Sequence, residues 1–307
     1  MPNPAHIMIT GAAGFVGART AKLALEAGHR VTALVRSTNA PRLAGLSTKL
    51  NIVIADLSHS NDVAEIVADL RPNVIIHSAW EGVGGPLRDG EIQIDNIRTS
   101  VALADAGIKS GIRKFIGIGS QAEYGRFNRR ITETDLPHPT MLYGAAKLAT
   151  CQLIRQRCEA ADISFSWMRL FSVYGPGDNP NWLIPAALSQ LLSGVAPRLT
   201  AGTQRWDYLH IDDVAAAIFA VATFDDASGI FNLSSGIATP VKTIIEILRD
   251  NTAPDLDLKF GEIPFGPAQI MHLEGDNIRL MEAANWSPKI KIQDGLIQLA
   301  SAARTAS

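Results

Sequence analysis

The chain of 307 residues has few of the features that mark secreted, nucleic-acid-binding or membrane proteins. Its two cysteines, Cys151 and Cys158, lie seven residues apart on one predicted helix, and no pair has CxxC spacing. Seven residues of helix span about 10 Å, which is too far for a disulfide. We therefore expect reduced thiols in a cytoplasmic protein.

Neither charge nor hydrophobic runs indicate a nucleic-acid or membrane partner. Lys and Arg number 28 against 30 Asp and Glu, a net charge of −2, so no broad positive field exists. The longest uncharged stretch, 179–197, contains three prolines and several polar residues. A membrane span needs about 20 mostly apolar residues. The N-terminus also lacks the basic and apolar segments of a secretion signal.

The sequence does contain a regular alternation of short apolar strands and amphipathic helices. Strands are predicted at 6–10, 30–35, 51–54, 74–77, 114–119 and 164–170, and helices at 15–27, 60–70, 91–110 and 143–160. This order indicates an α/β fold of the Rossmann type, a doubly wound parallel sheet. We assign residues 1–174 to that domain, expect 206–233 to return to it, and assign 175–307 mainly to a smaller α/β substrate-binding lobe.

A glycine-rich turn, Thr10-Gly11-Ala12-Ala13-Gly14-Phe15-Val16-Gly17, joins the first strand to the first helix. Gly11 permits a tight turn, Gly14 lets the backbone approach a pyrophosphate, and Gly17 lets the helix pack closely on the strand. Since strand, turn, helix and second strand follow in register, we interpret the turn as a dinucleotide site. The alternative is a βα turn without a ligand.

The end of the second strand bears on the choice of dinucleotide. NAD-binding domains usually carry an acidic residue there, but this chain has Val35, followed by Arg36 and Ser37. No carboxylate repels a 2′-phosphate, and Arg36 can bind one bidentately. NADP(H) is therefore favoured over NAD(H), unless Arg36 is only a solvated strand-end residue.

Tyr143 and Lys147 are four residues apart and share one face of a predicted helix. A neighbouring cation stabilises a phenolate, which makes tyrosine able to transfer a proton near neutral pH. Ser120 ends the fifth strand, at the sheet edge where ligands bind. These three residues are the predicted catalytic set. The alternatives are an ordinary surface Tyr–Lys pair and a serine that caps a helix.

Several motifs together resemble the extended short-chain dehydrogenase/reductase family of sugar-nucleotide enzymes. They are TGAAGFVG, Asp56-Leu57, HSAW at 77–80, Asn96, GSQAEYG, YGAAK and RLFSVYGPGD, within residues 6–213, with a weaker match at 285–288. The resemblance implies the same catalytic set and a C-terminal lobe that binds a nucleoside diphosphate. The expected cofactor contacts are Gly11, Ala13, Gly14, Phe15, Val16, Gly17, Arg36, Ser37, Asp56, Leu57, Ser78, Ala79, Trp80, Asn96, Ile118, Tyr143 and Lys147.

The expected substrate contacts are fewer, and no metal ligand is expected. The family's usual arginine clamp for the diphosphate is missing, which leaves Arg205 and Arg279 as candidates. The full expected set is Ser120, Gln121, Ser172, Asn181, Arg205 and Arg279. Related enzymes form homodimers through the two long helices, so Val101, Ala102, Leu148 and Leu153 are expected in the core or at such an interface.

Departures from the family pattern narrow the expected reaction. Gln121 and Ala122 stand where family dehydratases carry an Asp-Glu pair, and Ala122 stands where 3,5-epimerase/reductases carry a cysteine. Val35 replaces the Asp usual in 4-epimerases. The segments GSQAEYG and QRWDYLHIDD most resemble reductases of NDP-4-keto-6-deoxyhexoses. We therefore predict NADPH-dependent 4-ketoreduction with Tyr143 as proton donor. An NAD(P)-dependent sugar-nucleotide 4-epimerase and a non-catalytic NADP-binding redox sensor remain as alternatives.

Overall fold

The computed structural model describes residues 5–46 and 49–306. The main sheet is built from β1 (His6–Thr10), β2 (Arg30–Val35), β3 (Asn51–Ile54), β4 (Val74–His77), β5 (Lys114–Ser120), β7 (Ser164–Leu170) and β10 (Gly229–Leu233). These seven strands are parallel, in the order β10-β7-β5-β4-β1-β2-β3. The chain order reverses direction between β1 and β4, the position at which such sheets bind ligands.

Helices cover both faces of this sheet, because its central strands are apolar on both sides. On β1, Ile7 and Ile9 face one core and Met8 faces the other. The first core includes α1 (Phe15–Glu26) and α6 (Ile211–Thr223), and the second includes α2 (Ser60–Leu70), α3 (Ile92–Lys109) and α4 (Leu142–Ala160). The predicted Rossmann-type fold is confirmed.

A smaller sheet forms the second lobe. It contains β6 (Arg129–Ile131), β8 (Ser172–Tyr174), β9 (Arg205–His210), β11 (Ala238–Pro240) and β12 (His272–Gly275). The helices of this part of the chain are α5 (Leu183–Leu192), α7 (Val241–Thr252), α8 (Ile278–Ala284) and α9 (Ile292–Ala306). The C-terminal segment therefore consists largely of regular helices and strands.

The expectation that residues 206–233 return to the main domain is wrong for the first part of this range. Residues 206–210 do not return to the main sheet, because β9 pairs with β8, β11 and β12. The free edge beside β7 is taken instead by β10, whose Phe231 and Leu233 are fully buried. β9 begins with an exposed arginine and is only partly buried along its length, as suits a strand of the smaller sheet. The helix after it, α6, does pack on the main sheet as predicted.

Two further observations concern the described ranges, 5–46 and 49–306. No helix there is long and apolar enough to cross a bilayer. No group of three or more His, Cys, Asp or Glu side chains there is arranged to hold a metal ion.

Candidate active site

A cavity of about 690 Å³ lies at the carboxyl end of the main sheet, between the two lobes. The glycine turn after β1 and the ends of β4, β5 and β7 form one side of it. The smaller lobe contributes Gln204, Trp206 and Tyr208 from β9 and the residue before it, and Val241 from α7. The cavity therefore extends from the predicted dinucleotide turn to the predicted substrate lobe.

The glycine turn is packed too closely to accept side chains. Gly11 has φ +67°, and a Cβ there would lie 2.6 Å from the amide nitrogen of Ala79. A Cβ on Gly17 would lie 2.3 Å from the carbonyl oxygen of Gly11. Gly14 precedes the first residue of α1 in extended conformation and lines the cavity. The backbone is thus exposed to the cavity at a helix N-terminus, which fits a pyrophosphate.

The residues at the ends of β2 and β3 lie outside the cavity lining. Val35 is buried, and the exposed Arg36 beside it forms an ion pair with Glu81. The carboxylate of Asp56 accepts a hydrogen bond from the Ser58 N–H at 2.9 Å, and its hydrogen bonds with Ser58 hold its pKa below the usual value. No carboxylate occupies the strand-end position itself, as the sequence indicates.

Ser120 ends β5 and is fixed by a buried carboxylate. Its Oγ accepts the N–H of Ala122 at 3.1 Å, and its own N–H donates to Glu123 Oε1 at 2.9 Å. Glu123 also accepts from Trp167 Nε1 and from Arg169 Nε, both at 2.8 Å, and is 0% exposed. Ser120 therefore caps a short 3-10 helix, Gln121–Glu123, and lines the cavity as well.

Tyr143 and Lys147 lie on one face of α4 and line the cavity with Ser120. Burial raises the pKa of Tyr143, and its hydrogen bond with Ser120 acts in the opposite direction. The Nζ of Lys147 contacts other groups of the site, and its role in stabilising a phenolate stays a prediction. Lys147 Nζ donates to the Ile118 carbonyl at 2.6 Å and lies 3.7 Å from the centre of the Trp80 ring. Burial lowers the pKa of Lys147 to about 7.

The other predicted contacts divide into four groups. Phe15, Val16, Ser78, Trp80, Ile118, Gln121 and Ser172 line the cavity. Ala13, Gly17 and Ala79 belong to the turn region without lining it, and Ser37 and Leu57 follow the strand ends. The buried Asn96 accepts the Glu81 N–H at its Oδ1 and donates from its Nδ2 to the Glu81 carbonyl, each at 3.0 Å. Its side-chain amide therefore contacts the protein backbone.

Three predicted substrate contacts are not brought to the cavity. Arg205 donates to the Ala238 carbonyl at 2.8 Å, and Asn181 lies in an exposed turn after Asn179. The Arg279 guanidinium lies 5.5 Å from the centre of the Phe231 ring, beside Gly229 at the opposite end of β10. Neither arginine lines the cavity, and their contact with a diphosphate stays a prediction.

Several cavity residues have no counterpart among the predictions. Arg88, Asp178 and Trp182 line the cavity, and burial raises the pKa of Asp178 to about 6. Gly84 lies beside the Trp182 ring, and an added Cβ would be 3.5 Å from that ring. Asp178 belongs to the GPGD turn visible in the sequence, whereas Arg88 and Trp182 stand in no recognisable motif.

The family model described as the NAD dependent epimerase/dehydratase family matches residues 7–234. The chain belongs to this family. Membership confirms the resemblance to the extended short-chain dehydrogenase/reductases and the prediction of an enzyme that uses a nicotinamide dinucleotide.

Curated relatives match nearly the whole chain. The dTDP-L-rhamnose 4-epimerase of Burkholderia thailandensis is 27% identical, over 95% of this chain and 93% of the relative. The UDP-glucose 4-epimerase of Mycolicibacterium smegmatis is 28% identical, over 94% and 95%. Both relatives are 4-epimerases, so the expected 4-ketoreductase activity remains a prediction.

The fold is similar to that of a solved 4-epimerase. The UDP-N-acetylglucosamine 4-epimerase of Methanobrevibacter ruminantium superposes with a TM-score of 0.89 at 24% identity, over 99% of both chains. At this identity, the likeness shows the shared architecture.

Proposed function

We propose that the protein is a sugar-nucleotide 4-epimerase, which inverts C4 through a transient ketone. The observation that carries the proposal is that Ser120, Tyr143 and Lys147 lie together in one cavity between the glycine turn and the smaller lobe. The names of the two curated relatives support this reaction over 4-ketoreduction.

The residues present fit a nicotinamide dinucleotide. The compact turn at Gly11, Gly14 and Gly17 offers backbone N–H groups to the pyrophosphate. Lys147 and the Ile118 backbone lie on the same wall as Tyr143 and would hold the nicotinamide half. When bound, the nicotinamide supplies reversible hydride transfer.

The chain's own residues supply the proton transfer. Tyr143 takes the proton of the C4 hydroxyl and returns it after the sugar has turned its other face, while Ser120 hydrogen-bonds the same oxygen. Both side chains are largely shielded from water, which strengthens their interaction with the developing charge. Gln121 and Ala122 provide no carboxylate, and the fully buried Glu123 does not line the cavity, so elimination of water lacks its acid–base group.

The test is turnover of a panel: UDP-glucose, UDP-N-acetylglucosamine and dTDP-L-rhamnose, each with NAD⁺ or NADP⁺. We expect the C4 epimer of at least one substrate in NMR spectra, with no net change in cofactor absorbance. Absence of epimer from every sugar, with net cofactor consumption on a 4-keto sugar, would reject the epimerase.

A 4-ketoreductase is the second candidate, favoured by the end of β2. Val35 leaves that position without a carboxylate, and the exposed Arg36 is partnered by Glu81, which a 2′-phosphate could displace. An exchangeable NADPH suits net reduction of a 4-keto-6-deoxyhexose.

Cofactor titrations of two variants test whether the end of β2 binds the 2′-phosphate of NADPH. Arg36→Ala should weaken NADPH binding about 10- to 150-fold, the value of about 1.5–3 kcal/mol for a charge-assisted contact, and leave NADH unchanged. Glu81→Gln removes the competing carboxylate and should tighten NADPH. Equal losses for both cofactors in Arg36→Ala would refute a 2′-phosphate contact.

A further inference from the structure

Arg88 lies against the ring of Tyr143. It belongs to a short 3-10 helix, Gly85–Asp89, between β4 and α3, and its guanidinium carbon is 4.7 Å from the centre of the Tyr143 ring. Among the residues that the structure describes, Arg88 is the one arginine that lines the cavity.

The guanidinium of Arg88 has no carboxylate partner among the described residues. Arg19 pairs with Asp212 and Arg36 with Glu81, whereas the ion pairs found within 5–46 and 49–306 do not include Arg88. Its buried Nε has no hydrogen-bond partner in the described chain. A partly buried cation without an anion is costly, and the π face of Tyr143 compensates only in part. Negative charge on the tyrosine oxygen would compensate further.

Hydrogen bonds on both sides of Arg88 fix its position. The Asp89 carboxylate accepts the N–H of Leu142, the first residue of α4, at 2.9 Å. On the other side, Gln93 Nε2 donates to the Leu87 carbonyl at 2.9 Å. Tyr143 follows Leu142 directly, and Arg88 precedes Asp89. The hydrogen bond between Leu142 and Asp89 therefore keeps Arg88 next to Tyr143.

The charged groups around Tyr143 come from three elements. On its own helix, the Lys147 ammonium is engaged by Ile118 and the Trp80 ring. After β5, the buried Glu123 carboxylate adds to the effect of burial and raises the pKa of Tyr143. From the 3-10 helix, Arg88 lowers that pKa, as does the hydrogen bond with Ser120.

We propose that Arg88 is a second positively charged residue of the site, one that positions the Tyr143 ring and stabilises its phenolate during proton transfer. Arg88 acts through Tyr143 and is a positioning residue. The inference rests on the proposed role of Tyr143, but its test needs neither substrate nor cofactor, so it can fail while the epimerase proposal stands.

The test is a titration of phenolate absorbance in the near ultraviolet. The chain has four tyrosines, and burial raises the pKa of Tyr124, Tyr174 and Tyr208. The titration step that disappears in Tyr143→Phe is the one that belongs to Tyr143. Arg88→Met should move this step up by about one pH unit, the effect of removing a cation about 5 Å away. Arg88→Lys, which keeps the charge, should restore most of the shift.

The control is Arg30→Met, which removes an exposed arginine at the opposite end of the sheet. Arg88→Gln serves as a second neutral variant if Arg88→Met does not fold, as judged by circular dichroism. An unmoved step in the neutral variants overturns the proposal. An equal shift in Arg88→Lys, or in the Arg30 control, overturns it as well, because charge at this position would then not be the cause.

Discussion

At the scale of single residues, the proposed reaction requires the hydroxyl of Tyr143. Tyr143→Phe removes one oxygen and leaves the buried ring, so packing and cofactor binding should hardly change. Loss of the proton-transfer group should lower kcat by about 10²–10⁴-fold. Because the group acts in the transition state, kcat/KM should fall too. Steady-state kinetics check this, and a loss below about tenfold would remove Tyr143 from the mechanism.

Lys147 should make the free energy of unfolding depend on pH. Burial lowers its pKa from 10.5 to about 7 in the folded chain. Between these values the unfolded lysine carries a proton that the folded one has lost, so the free energy of unfolding rises with pH through this window. This gain in the free energy of unfolding is lost as the pH falls towards about 7.

Urea unfolding from about pH 7 to about pH 10 measures this contribution. Relative to Lys147→Met, the wild type should gain stability across the window. Lys291→Met, at an exposed lysine, is the matched control and should behave like the wild type. Parallel curves for wild type and Lys147→Met would contradict the lowered pKa.

The sequence predicted the positions of Ser120, Tyr143 and Lys147 because strand ends and helical spacing are local properties. The structure brings all three to one cavity. The roles of Arg88 and Glu123 could not be predicted in this way. Arg88 contacts Tyr143 across a long stretch of chain, and only tertiary packing brings them together. The contact between Lys147 and Trp80 could not be predicted either, because Trp80 lies in the loop after β4, far from Lys147 in the sequence.

At the scale of elements, the turn between β5 and α4 depends on the buried Glu123. Its carboxylate joins the Ser120 backbone to Trp167 and Arg169 of β7. The Arg169 guanidinium also lies over the Tyr124 ring at 4.3 Å, so the two strand ends share one polar network. A network of this kind is stable only when every member has a partner.

Glu123→Ala should therefore be strongly destabilising. It leaves Arg169, which is 1% exposed, as an unpaired buried charge, a loss of about 3–5 kcal/mol. Denaturant unfolding measures the loss. Glu65→Ala on the exposed side of α2 is the control and should cost less than about 0.5 kcal/mol. Similar unfolding midpoints for Glu123→Ala and the control would contradict the network.

The sequence predicted where most strands and helices lie, but it did not always predict which strands pair with each other. The strands of the main sheet were found because continuous apolar runs alternate with helices. β9 was misplaced since a partly buried strand before a helix fits either sheet, and only its pairing with β8, β11 and β12 decides.

At the scale of the whole molecule, we predict a homodimer through α3 and α4. Val101, Ala102 and Leu148 are half-buried, and Leu153 is 43% exposed, so none of the four belongs fully to the core. Leu153→Glu should convert the dimer to a monomer in light scattering, because it places a charge in an apolar interface. Leu136→Glu, at an 84% exposed loop residue, should not. A monomeric wild type at micromolar concentration would contradict the assembly.

In the proposed epimerase, one site oxidises and re-reduces the same carbon of a nucleotide sugar. The most direct measurement uses the substrate that turns over, with deuterium at C4, and follows the product by NMR. We expect the C4 epimer to retain the deuterium, with no net change in cofactor, and Tyr143→Phe to suppress its formation. Loss of the deuterium to solvent, or consumption of one cofactor for each product, would contradict C4 epimerisation in a single site.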